Sequence, residues 1–584
     1  MERLFKTSNY KKEISLCDMW DFVLDKDDLG IEQKWFLNFP EDTRAMTVPS
    51  CWNTEPDLFR YEGTAWYQTS FYSESPDLYI SFEAVQNEAD VYLDGIHLGN
   101  HYGGFLKFGF EANNLNPGLH TLTVRVNNTI NNIDTFPLTG VDWYNYGGIA
   151  RPVHIAELSD RWIKNHKISY DFKNGLSDVC LSVEAEIKTF GEVSDELKIH
   201  VNDIEYHSEK LTVNGIQKIC LAFDLSDIKL WDVDSPNLYY VRISFGNEDV
   251  IERIGFRKIE TKGRDILLNG KKIRLLGINR HEEHPDWGFS MPFSLIKKDI
   301  DIIRNLNCNA IRTSHYPNSQ KTADYCDEVG MLFWSEIPGW GRSEEAMTND
   351  LALKRALSME KEMIEENFHH PSIIVFCMHN ECCTESVGGF EVTKKMIELA
   401  KSMDSSRLMT YVTHNVGTKE GEDIELCYSL ADIVCLNHYI GWYFDTANGD
   451  WNEFLESYNV ILKQCDSIEK PFIMSEFGFA ALLGSAGFES YRWSEDYQAD
   501  AHEFTLNQLL GNERIAGTYI WQFNNNRSAA ENEISRPRGY NNKGIVDEYR
   551  KPKRAYRTIQ KIYGEHNPVK REEYKTIFYA YKRK

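Results

Sequence analysis

The stretch Pro371-Ser-Ile-Ile-Val-Phe-Cys-Met-His-Asn-Glu381 decides the predicted fold. Its apolar residues from Ile373 to Met378 follow one another without alternation and are rich in β-branched side chains. This pattern is typical of a strand buried on both faces, as in a parallel sheet covered by helices. The run ends in polar residues, the last of which is Glu381. Because α/β barrels carry their chemistry at the carboxyl ends of such strands, Glu381 is a candidate catalytic acid.

A second run, Pro471-Phe-Ile-Met-Ser-Glu476-Phe-Gly478, has the same form, and its acid lies 95 residues (476 − 381) after Glu381. Retaining glycoside hydrolysis uses two carboxylic groups about 5–5.5 Å apart, one as acid/base and one as nucleophile. A single acid at a strand end would be read as a solvated loop residue. Two acids, each closing a buried run, favour a paired-acid hydrolase site in which Glu381 donates the proton and Glu476 attacks.

The chain after Gly263 alternates buried runs with amphipathic stretches, which is the pattern of βα units. Eight buried runs in this part predict a (β/α)8 TIM barrel over residues 259–584, with Glu381 on the fourth strand and Glu476 on the seventh. The runs are Ile273–Ile278, Ala310–Thr313, Met331–Ser335, Ile373–Met378, Met409–Thr413, Ile433–Leu436, Phe472–Met474 and Thr518–Phe523.

The part before the barrel is strand-like and rich in turns. Residues 1–160 carry short alternating runs such as Thr64–Tyr72, with turn signals such as Asp94-Gly95 between them, and predict a jelly-roll β-sandwich. Residues 161–258 alternate cleanly, for example over Tyr239–Phe245, and predict an immunoglobulin-like β-sandwich.

Composition narrows the function classes. The net charge of −25 argues against a nucleic-acid partner, since a polyanion would be repelled over most of the surface. No run approaches the ~18 apolar residues of a membrane span, so no membrane partner is expected. The N-terminus lacks the apolar core of a signal peptide and the twelve cysteines are scattered, which predicts a cytoplasmic protein with reduced thiols.

The cluster His281-Glu-Glu-His284 suggests a metal site at first sight. Its spacing differs from His-Glu-x-x-His, and it follows a strand instead of lying on a helix. Neither a metal nor a cofactor is therefore predicted.

Asn380-Glu381 and Ser475-Glu476-Phe-Gly478 resemble the acid/base and nucleophile segments of glycoside hydrolase family 2. Five other segments resemble that family's jelly roll and its first two barrel strands, so the likeness covers nearly the whole chain. They are Ala65–Tyr67, Val91–Phe105, Tyr144–Pro152, Gly277–Glu282 and Ala310–Pro317. The resemblance implies a cofactor-free retaining exo-β-glycosidase of three domains that forms a homo-oligomer, such as a tetramer.

Within the family, the β-glucuronidase branch is most similar. Asn437-His-Tyr-Ile-Gly-Trp-Tyr443 resembles its sixth-strand segment, which implies that Tyr439 and Tyr443 reach the nucleophile and the sugar. Gly539-Tyr-Asn-Asn-Lys-Gly544 matches its Asn-x-Lys motif as Asn541 and Lys543. A uronic acid carries a carboxylate, and binding a carboxylate calls for a cation and a neutral donor. We therefore expect Asn541 and Lys543 to form a uronate clamp.

Other residues have less defined expectations. Asn380 is expected to bind a sugar hydroxyl and His281 to line the sugar pocket, while Trp521 is either a sugar platform or core. Arg312 and His315 either line the pocket or support the acids. Arg536 and Arg538 lie just before the clamp, and their spacing does not decide between them.

Two departures from the family pattern stand out. Cys382 follows the acid where the family has proline, and the connection from Glu336 to the helix near Leu351 is short. The short connection predicts a more open entrance to the site.

The predicted function is retaining exo-β-glucuronidase activity on a small-molecule glucuronide. β-Galacturonidase is the near alternative, because its substrate differs in the direction of one ring hydroxyl. A β-galactosidase has no use for a carboxylate clamp and is less favoured. A non-catalytic carbohydrate-binding protein would need neither Glu381 nor Glu476.

Overall fold

A computed structural model describes residues 3–173, 175–416, 425–444, 450–529 and 534–567. These residues form two β-rich regions followed by a barrel of parallel strands wrapped in helices. The predicted fold class is confirmed: a jelly-roll sandwich, an immunoglobulin-like sandwich and a (β/α)8 barrel. No helix within the described ranges is long and apolar enough to cross a membrane.

The N-terminal sandwich consists of two antiparallel sheets, of six and four strands, packed around one apolar core. The core is rich in aromatic side chains such as Trp20, Phe22, Trp52 and Tyr67, all of them buried. The six-stranded sheet runs β3-β2-β4-β9-β6-β7 and the four-stranded sheet β1-β10-β5-β8. The strands are β1 Lys12–Ser15, β2 Met19–Asp25, β3 Arg44–Thr47, β4 Thr64–Ser73, β5 Leu78–Phe82, β6 Glu88–Leu93, β7 Ile96–Tyr102, β8 Phe108–Ala112, β9 Gly118–Asn127 and β10 Val153–Glu157.

The second region has five antiparallel strands around its own core. Its second strand pairs with the first along its early half and with the fourth along its late half, so this strand bridges two halves of the region. The register shifts between Lys188 and Glu192, where Gly191 has a φ of +113° that favours glycine. The strands are β11 Arg161–Phe172, β12 Val179–Val201, β13 Ile204–Leu225, β14 Tyr239–Phe245 and β15 Glu248–Ile254.

A small antiparallel sheet leads into the barrel and shares an apolar cluster with the barrel interior. Eight parallel strands follow, and hydrogen bonds from Thr413 N to Cys435 O (3.2 Å) and from Asn437 N to Thr413 O (2.8 Å) link the two ends of the sheet. The small sheet comprises β16 Ile259–Lys262, β17 Asp265–Leu268 and β18 Lys271–Ile273. The barrel strands are β19 Leu275–Asn279, β20 Ala310–Arg312, β21 Leu332–Glu336, β22 Ile373–Asn380, β23 Leu408–Val412, β24 Val434–Asn437, β25 Phe472–Phe477 and β26 Ile515–Ile520.

The helices pack around these strands, and several begin at residues whose side chains cap free backbone N–H groups. Asn349 caps α4, Ser386 caps α5, Asp450 caps α6 and Ser494 caps α7. The helices are α1 Phe293–Asn305, α2 Gln320–Val329, α3 Glu344–Thr348, α4 Asp350–Asn367, α5 Val387–Met403, α6 Trp451–Gln464, α7 Glu495–Gly511 and α8 Arg554–His566.

Every residue of β22 is buried, as the unbroken apolar run predicts. Val375 and Cys377 belong to the interior cluster of the barrel, while Phe376 and Met378 belong to the cluster beneath the helices. The strand then ends, and Glu381 adopts a left-handed backbone conformation with a φ of 53°. Its side chain therefore starts from the rim of the barrel, at the carboxyl ends of the strands.

After β26 the chain forms a short antiparallel pair, β27 Asn526–Arg527 with β28 Tyr540–Asn541. This pair returns Asn541 and the following residues to the carboxyl-terminal rim, where β19 to β26 end.

Candidate active site

Arg312, the last residue of β20, connects the polar side chains at the barrel mouth. Its guanidinium is fully buried and donates to Glu476 Oε1 (2.7 Å), Glu336 Oε2 (2.9 Å) and Asn380 Oδ1 (2.7 Å). The charges of Glu336 and Glu476 raise the pKa of Arg312 even though burial opposes this. Since its partners lie on β21, β22 and β25, this one side chain joins the fourth and seventh strands. The sequence left two roles open for Arg312, lining the pocket or supporting the acids. Its bond to Glu476 fits the second role.

Glu476 is held from several sides. In addition to Arg312, the Tyr439 hydroxyl donates to Glu476 Oε2 (2.7 Å), and His315 Nε2 lies 3.7 Å from Oε1. Only 4% of the Glu476 side chain is exposed. Burial raises the pKa of Glu476, and the nearby charge of Glu381 adds to this, while Arg312, His315 and Tyr439 favour the ionised form.

Glu381 is more open. Asn437 Nδ2 donates to Glu381 Oε1 (2.7 Å), and His414 Nδ1 lies 3.7 Å from Oε2. The Glu381 side chain is 18% exposed, and that of His414 is 62% exposed. Asn437 Nδ2 also lies 3.2 Å from Asn380 Oδ1, so Asn380 connects the surroundings of Glu381 with those of Glu476 through Arg312.

The floor of the site is aromatic. His315 stacks on Trp521 with 5.0 Å between ring centroids, and His281 meets Trp521 edge-on at 5.4 Å. Trp143, from the N-terminal sandwich, packs against both histidines at 6.0 and 5.5 Å. Burial lowers the pKa of His281 well below its usual value, so this imidazole is neutral.

Three buried polar atoms around this floor have no hydrogen-bond partner among the described residues. They are Asn380 Nδ2, His281 Nε2 and Trp143 Nε1. Buried polar atoms are normally paired, so unpaired ones at a site indicate groups that a ligand can use. A hydroxyl group can accept from the N–H groups of Asn380 and Trp143, and can accept from or donate to His281 Nε2.

Lys543 lies at one side of the mouth. Its side chain is buried, and its ammonium donates to the Tyr443 hydroxyl (2.5 Å) and lies 4.4 Å from the centroid of the Tyr443 ring. The ring centroids of Tyr439 and Trp442 lie at 5.4 and 5.6 Å. In the described part of the chain, no Asp or Glu forms an ion pair with this ammonium. Its contacts are the Tyr443 hydroxyl and the three aromatic rings.

Asp142, from the N-terminal sandwich, holds the neighbouring residues. It accepts from Arg536 Nε (2.7 Å) and Arg536 Nη2 (2.7 Å), and from Asn541 Nδ2 (2.7 Å). Asn541 Oδ1 in turn accepts from the backbone N–H of Lys543 (3.1 Å). The amide of Asn541 is therefore occupied on both sides and shapes the turn that carries Lys543.

The two upstream arginines lie in different places. Arg536 contacts Asp142, and the Tyr443 hydroxyl contributes to its raised pKa, so Arg536 is beside Lys543. Arg538 has a left-handed φ of 65° and donates to Glu548 Oε1 (2.7 Å), with 51% of its side chain exposed. Of the pair left open by the sequence, Arg536 belongs to this site.

Contacts thus connect the nine residues that the sequence predicted for the site, while Arg538, one of the two arginines left open, lies apart. The nine are Glu381, Glu476, Asn380, Asn541, Lys543, Tyr439, Tyr443, His281 and Trp521. Sequence reasoning missed Asp142, Trp143, Glu336, His414 and the contact that Asn437 makes with Glu381. Asn437 could have been found, because it ends the sixth buried run as Glu381 and Glu476 end theirs. Asp142 and Trp143 gave no signal, since they lie in the long connection between β9 and β10 of the sandwich and not at the end of a barrel strand.

Comparison with known families agrees with this architecture. The model described as the TIM barrel domain of glycosyl hydrolases family 2 matches residues 259–567. The sugar binding domain of the same family matches residues 14–159, and a third model of the family matches residues 149–257.

Individual proteins are also similar. A β-galactosidase of Thermoanaerobacterium thermosulfurigenes is 33% identical over 61% of this chain. The matched part spans about half (51%) of that protein's own length. A β-glucuronidase of Paenibacillus borealis is 25% identical over 96% of this chain and 98% of its own length. The crystal structure of a β-galacturonidase from Eisenbergiella tayi bound to galacturonate is 31% identical, with a TM-score of 0.87, covering 97% of this chain and 99% of that one.

The family models and the similar proteins define the class of protein: a glycoside hydrolase. The chain belongs to glycosyl hydrolases family 2, whose domain models match it almost from end to end.

Proposed function

We propose that this glycoside hydrolase is a retaining exo-β-glucuronidase. The observation that carries the proposal is Lys543, a buried ammonium that has no acidic partner among the described residues. It lies 5.4 Å from the ring of Tyr439, whose hydroxyl bonds Glu476. A buried cation is costly unless it is paired, and a ligand carboxylate would supply the missing charge. Arg536 shares the contact with Tyr443, but its own charge is paired with Asp142, so Lys543 is the cation that a ligand would neutralise. A sugar that carries a carboxylate fits this corner.

The proposed reaction has two steps. Glu476 attacks the anomeric carbon while Glu381 protonates the leaving oxygen, which breaks the glycosidic bond and forms a covalent glycosyl-enzyme. Glu381, now ionised, then takes a proton from water, and the resulting attack releases the sugar with net retention. Arg312 and Tyr439 keep the carboxylate of Glu476 aligned and favour its ionised form.

The remaining contacts orient the sugar. The unpaired Nδ2 of Asn380 suits the hydroxyl next to the reacting carbon, and the unpaired Nε2 of His281 suits a second hydroxyl. Lys543, with Arg536 and the Tyr443 hydroxyl, binds the uronate carboxylate. Asn541 assists by holding the turn, and Trp521 forms the floor.

A β-galacturonide is the second candidate substrate. The similarity to the galacturonate-bound structure from Eisenbergiella tayi favours it, and the same clamp would serve it. A β-galactoside is less favoured despite the partial similarity to a β-galactosidase, because it leaves Lys543 without a counter-charge. A cytoplasmic location and a homo-oligomeric assembly are part of the proposal.

The test compares kcat/KM for the aryl β-glucuronide, β-galacturonide and β-galactoside of one chromophore. It uses the parent, Lys543→Ala and a matched control, Lys551→Ala. Lys551 is an exposed lysine a few positions further along the chain. We expect the glucuronide to lead and Lys543→Ala to lose about a hundredfold or more on uronides only. A leading galacturonide with the same loss would change only the sugar. A leading galactoside with no effect of Lys543→Ala would overturn the proposal.

A further inference from the structure

A second buried lysine, Lys553, lies beneath the residues assigned to the clamp. It immediately precedes α8, and its ammonium donates to Ala481 O (2.7 Å), Asn525 Oδ1 (2.9 Å) and Asn542 O (2.8 Å). An ammonium has three N–H groups and no acceptor, so all of its donors are used, each on a neutral oxygen. No carboxylate within the described ranges forms an ion pair with it.

The three acceptors come from three segments of the site. Ala481 follows β25, the strand that carries Glu476, and Asn525 follows β26. Asn542 lies between Asn541 and Lys543, and its carbonyl also accepts from the backbone N–H of Ala481 (3.1 Å). The ammonium of Lys553 thus helps to fasten the turn bearing Lys543 to the segment that follows Glu476.

We propose that Lys553 is a positioning residue for the uronate clamp: by bonding these three oxygens, its ammonium fixes where Lys543 stands relative to Glu476. Lys553 does not touch the sugar in this proposal, and it acts through the backbone at Asn542. The inference rests on the proposed function, since it assigns Lys553 to the binding of the same carboxylate.

The protonation state of Lys553 matters for this role. A neutral amine keeps two N–H donors and gains a lone pair, so one of the three oxygens would lose its donor and face that lone pair. Burial lowers the pKa of Lys553 to about 7. Because its neutral form takes over above that pH, the positioning should be intact below about pH 7 and should weaken as the pH rises. Three nearby carboxylates, those of Glu548, Glu495 and Asp547, favour the ammonium form of Lys553, and Arg538 opposes it. The pKa of nearby His502 is lowered by burial and by the charge of Lys553.

The first experiment compares Lys553→Met with Lys561→Met, an exposed lysine on the same helix. The readout is kcat/KM on the aryl β-glucuronide divided by kcat/KM on the uncharged aryl β-glucoside. We expect Lys553→Met to lower this ratio about tenfold or more, through KM for the glucuronide, and Lys561→Met to leave it unchanged. A merely structural role would reduce both substrates equally, and an unchanged ratio would overturn the proposal.

The second experiment measures the same ratio against pH in the parent protein and in Lys553→Arg, and its parent arm decides the matter even if Lys553→Met fails to fold. Ionisations that affect both substrates alike cancel in the ratio. We expect the ratio to fall as the pH rises through about 7 and to stay flat in Lys553→Arg, whose guanidinium remains charged. A flat ratio in the parent would overturn the role of Lys553. A parent with no preference for uronides at any pH would instead overturn the proposed function.

Discussion

The two carboxylates at the barrel mouth sit in different surroundings. Glu476 is bonded to Arg312 and Tyr439 and is almost completely buried. Glu381 has one short hydrogen bond, from Asn437, and lies on the solvent side next to the exposed His414. A cation and a hydroxyl therefore fix one carboxylate, and an amide with access to solvent fixes the other.

This difference fits the two tasks in the proposed mechanism. A nucleophile must be ionised and aimed at one carbon, which fixed opposite charge and short hydrogen bonds achieve. An acid/base must give up a proton and take one back from water in each turnover, so a permanent cation beside it would work against half of its task. The predictions below break or sharpen this contrast, from the largest effect to the smallest.

Exchanging each carboxylate for an amide should separate the two roles. Glu476→Gln should lose about 10⁴-fold or more in kcat for every leaving group, because no covalent intermediate can form. Glu381→Gln should lose as much on a poor leaving group but only about tenfold on a dinitrophenyl glycoside, which departs without a proton. Initial rates on both substrates check this, with Glu469→Gln, an exposed acid, as control. Equal losses for both variants on both leaving groups would contradict the assignment.

Removing the buried cation should affect the nucleophile specifically. Arg312→Gln should lower kcat/KM by about 10²–10³-fold. Since Arg312 opposes the raised pKa of Glu476, its removal raises that pKa further. The nucleophile must be ionised, so the acidic limb of the pH profile should move to higher pH.

The same variant leaves Glu336 without its cation, so a loss of stability of about 3–5 kcal/mol is expected and should be measured alongside. Arg264→Gln, on the exposed β16–β17 turn, serves as control. A large loss of rate with an unmoved acidic limb would mean that Arg312 supports the fold and not the charge of Glu476.

Loss of the hydroxyl on Glu476 should have a moderate effect. Tyr439→Phe keeps the ring beside Lys543 but removes the hydrogen bond to Oε2, and we expect a loss of about 10–100-fold in kcat. Tyr240→Phe, an exposed tyrosine of the second sandwich, is the control for the chemical change. An effect confined to KM would indicate that the hydroxyl binds substrate instead of holding the nucleophile.

The exposed neighbour of Glu381 should matter least. His414→Gln should change kcat/KM by less than about threefold, because charges at 3.7 Å that are open to water interact weakly. A pH profile of the variant from pH 5 to 8 provides the check. A loss above tenfold would show that Glu381 depends on a charged partner after all, and the contrast with Glu476 would disappear.

The barrel and its two carboxylates could be predicted because their signals are local. A strand buried on both faces leaves an unbroken apolar run, and an acid that closes the run is visible beside it. The same logic gave Asn380 and Trp521 their places at strand ends. The sandwiches were predictable from alternation and turn residues, which also lie within a few positions of one another.

The remainder of the site depends on contacts that no local pattern encodes. Asp142 meets Arg536 and Asn541 across separations of 394 and 399 residues. Arg536 and Arg538 are only two positions apart, yet their side chains lie in different places. Arg536 bonds Asp142, whereas Arg538, whose backbone is left-handed, bonds Glu548. Arg312 could be named from sequence, but its role required the order in which β21, β22 and β25 surround it.

The bond between Asp142 and Asn541 has a consequence for how activity arises during synthesis. Asp142 leaves the ribosome long before residues 536–543, yet the two parts of the chain meet at one corner of the site. In the proposed mechanism, chains that stop before Lys543 lack the clamp, so we expect no uronidase activity from them, however well their sandwiches have folded. Activity would then report synthesis at least as far as residue 543, and two separately expressed fragments divided between the sandwiches would regain it only by reassembling.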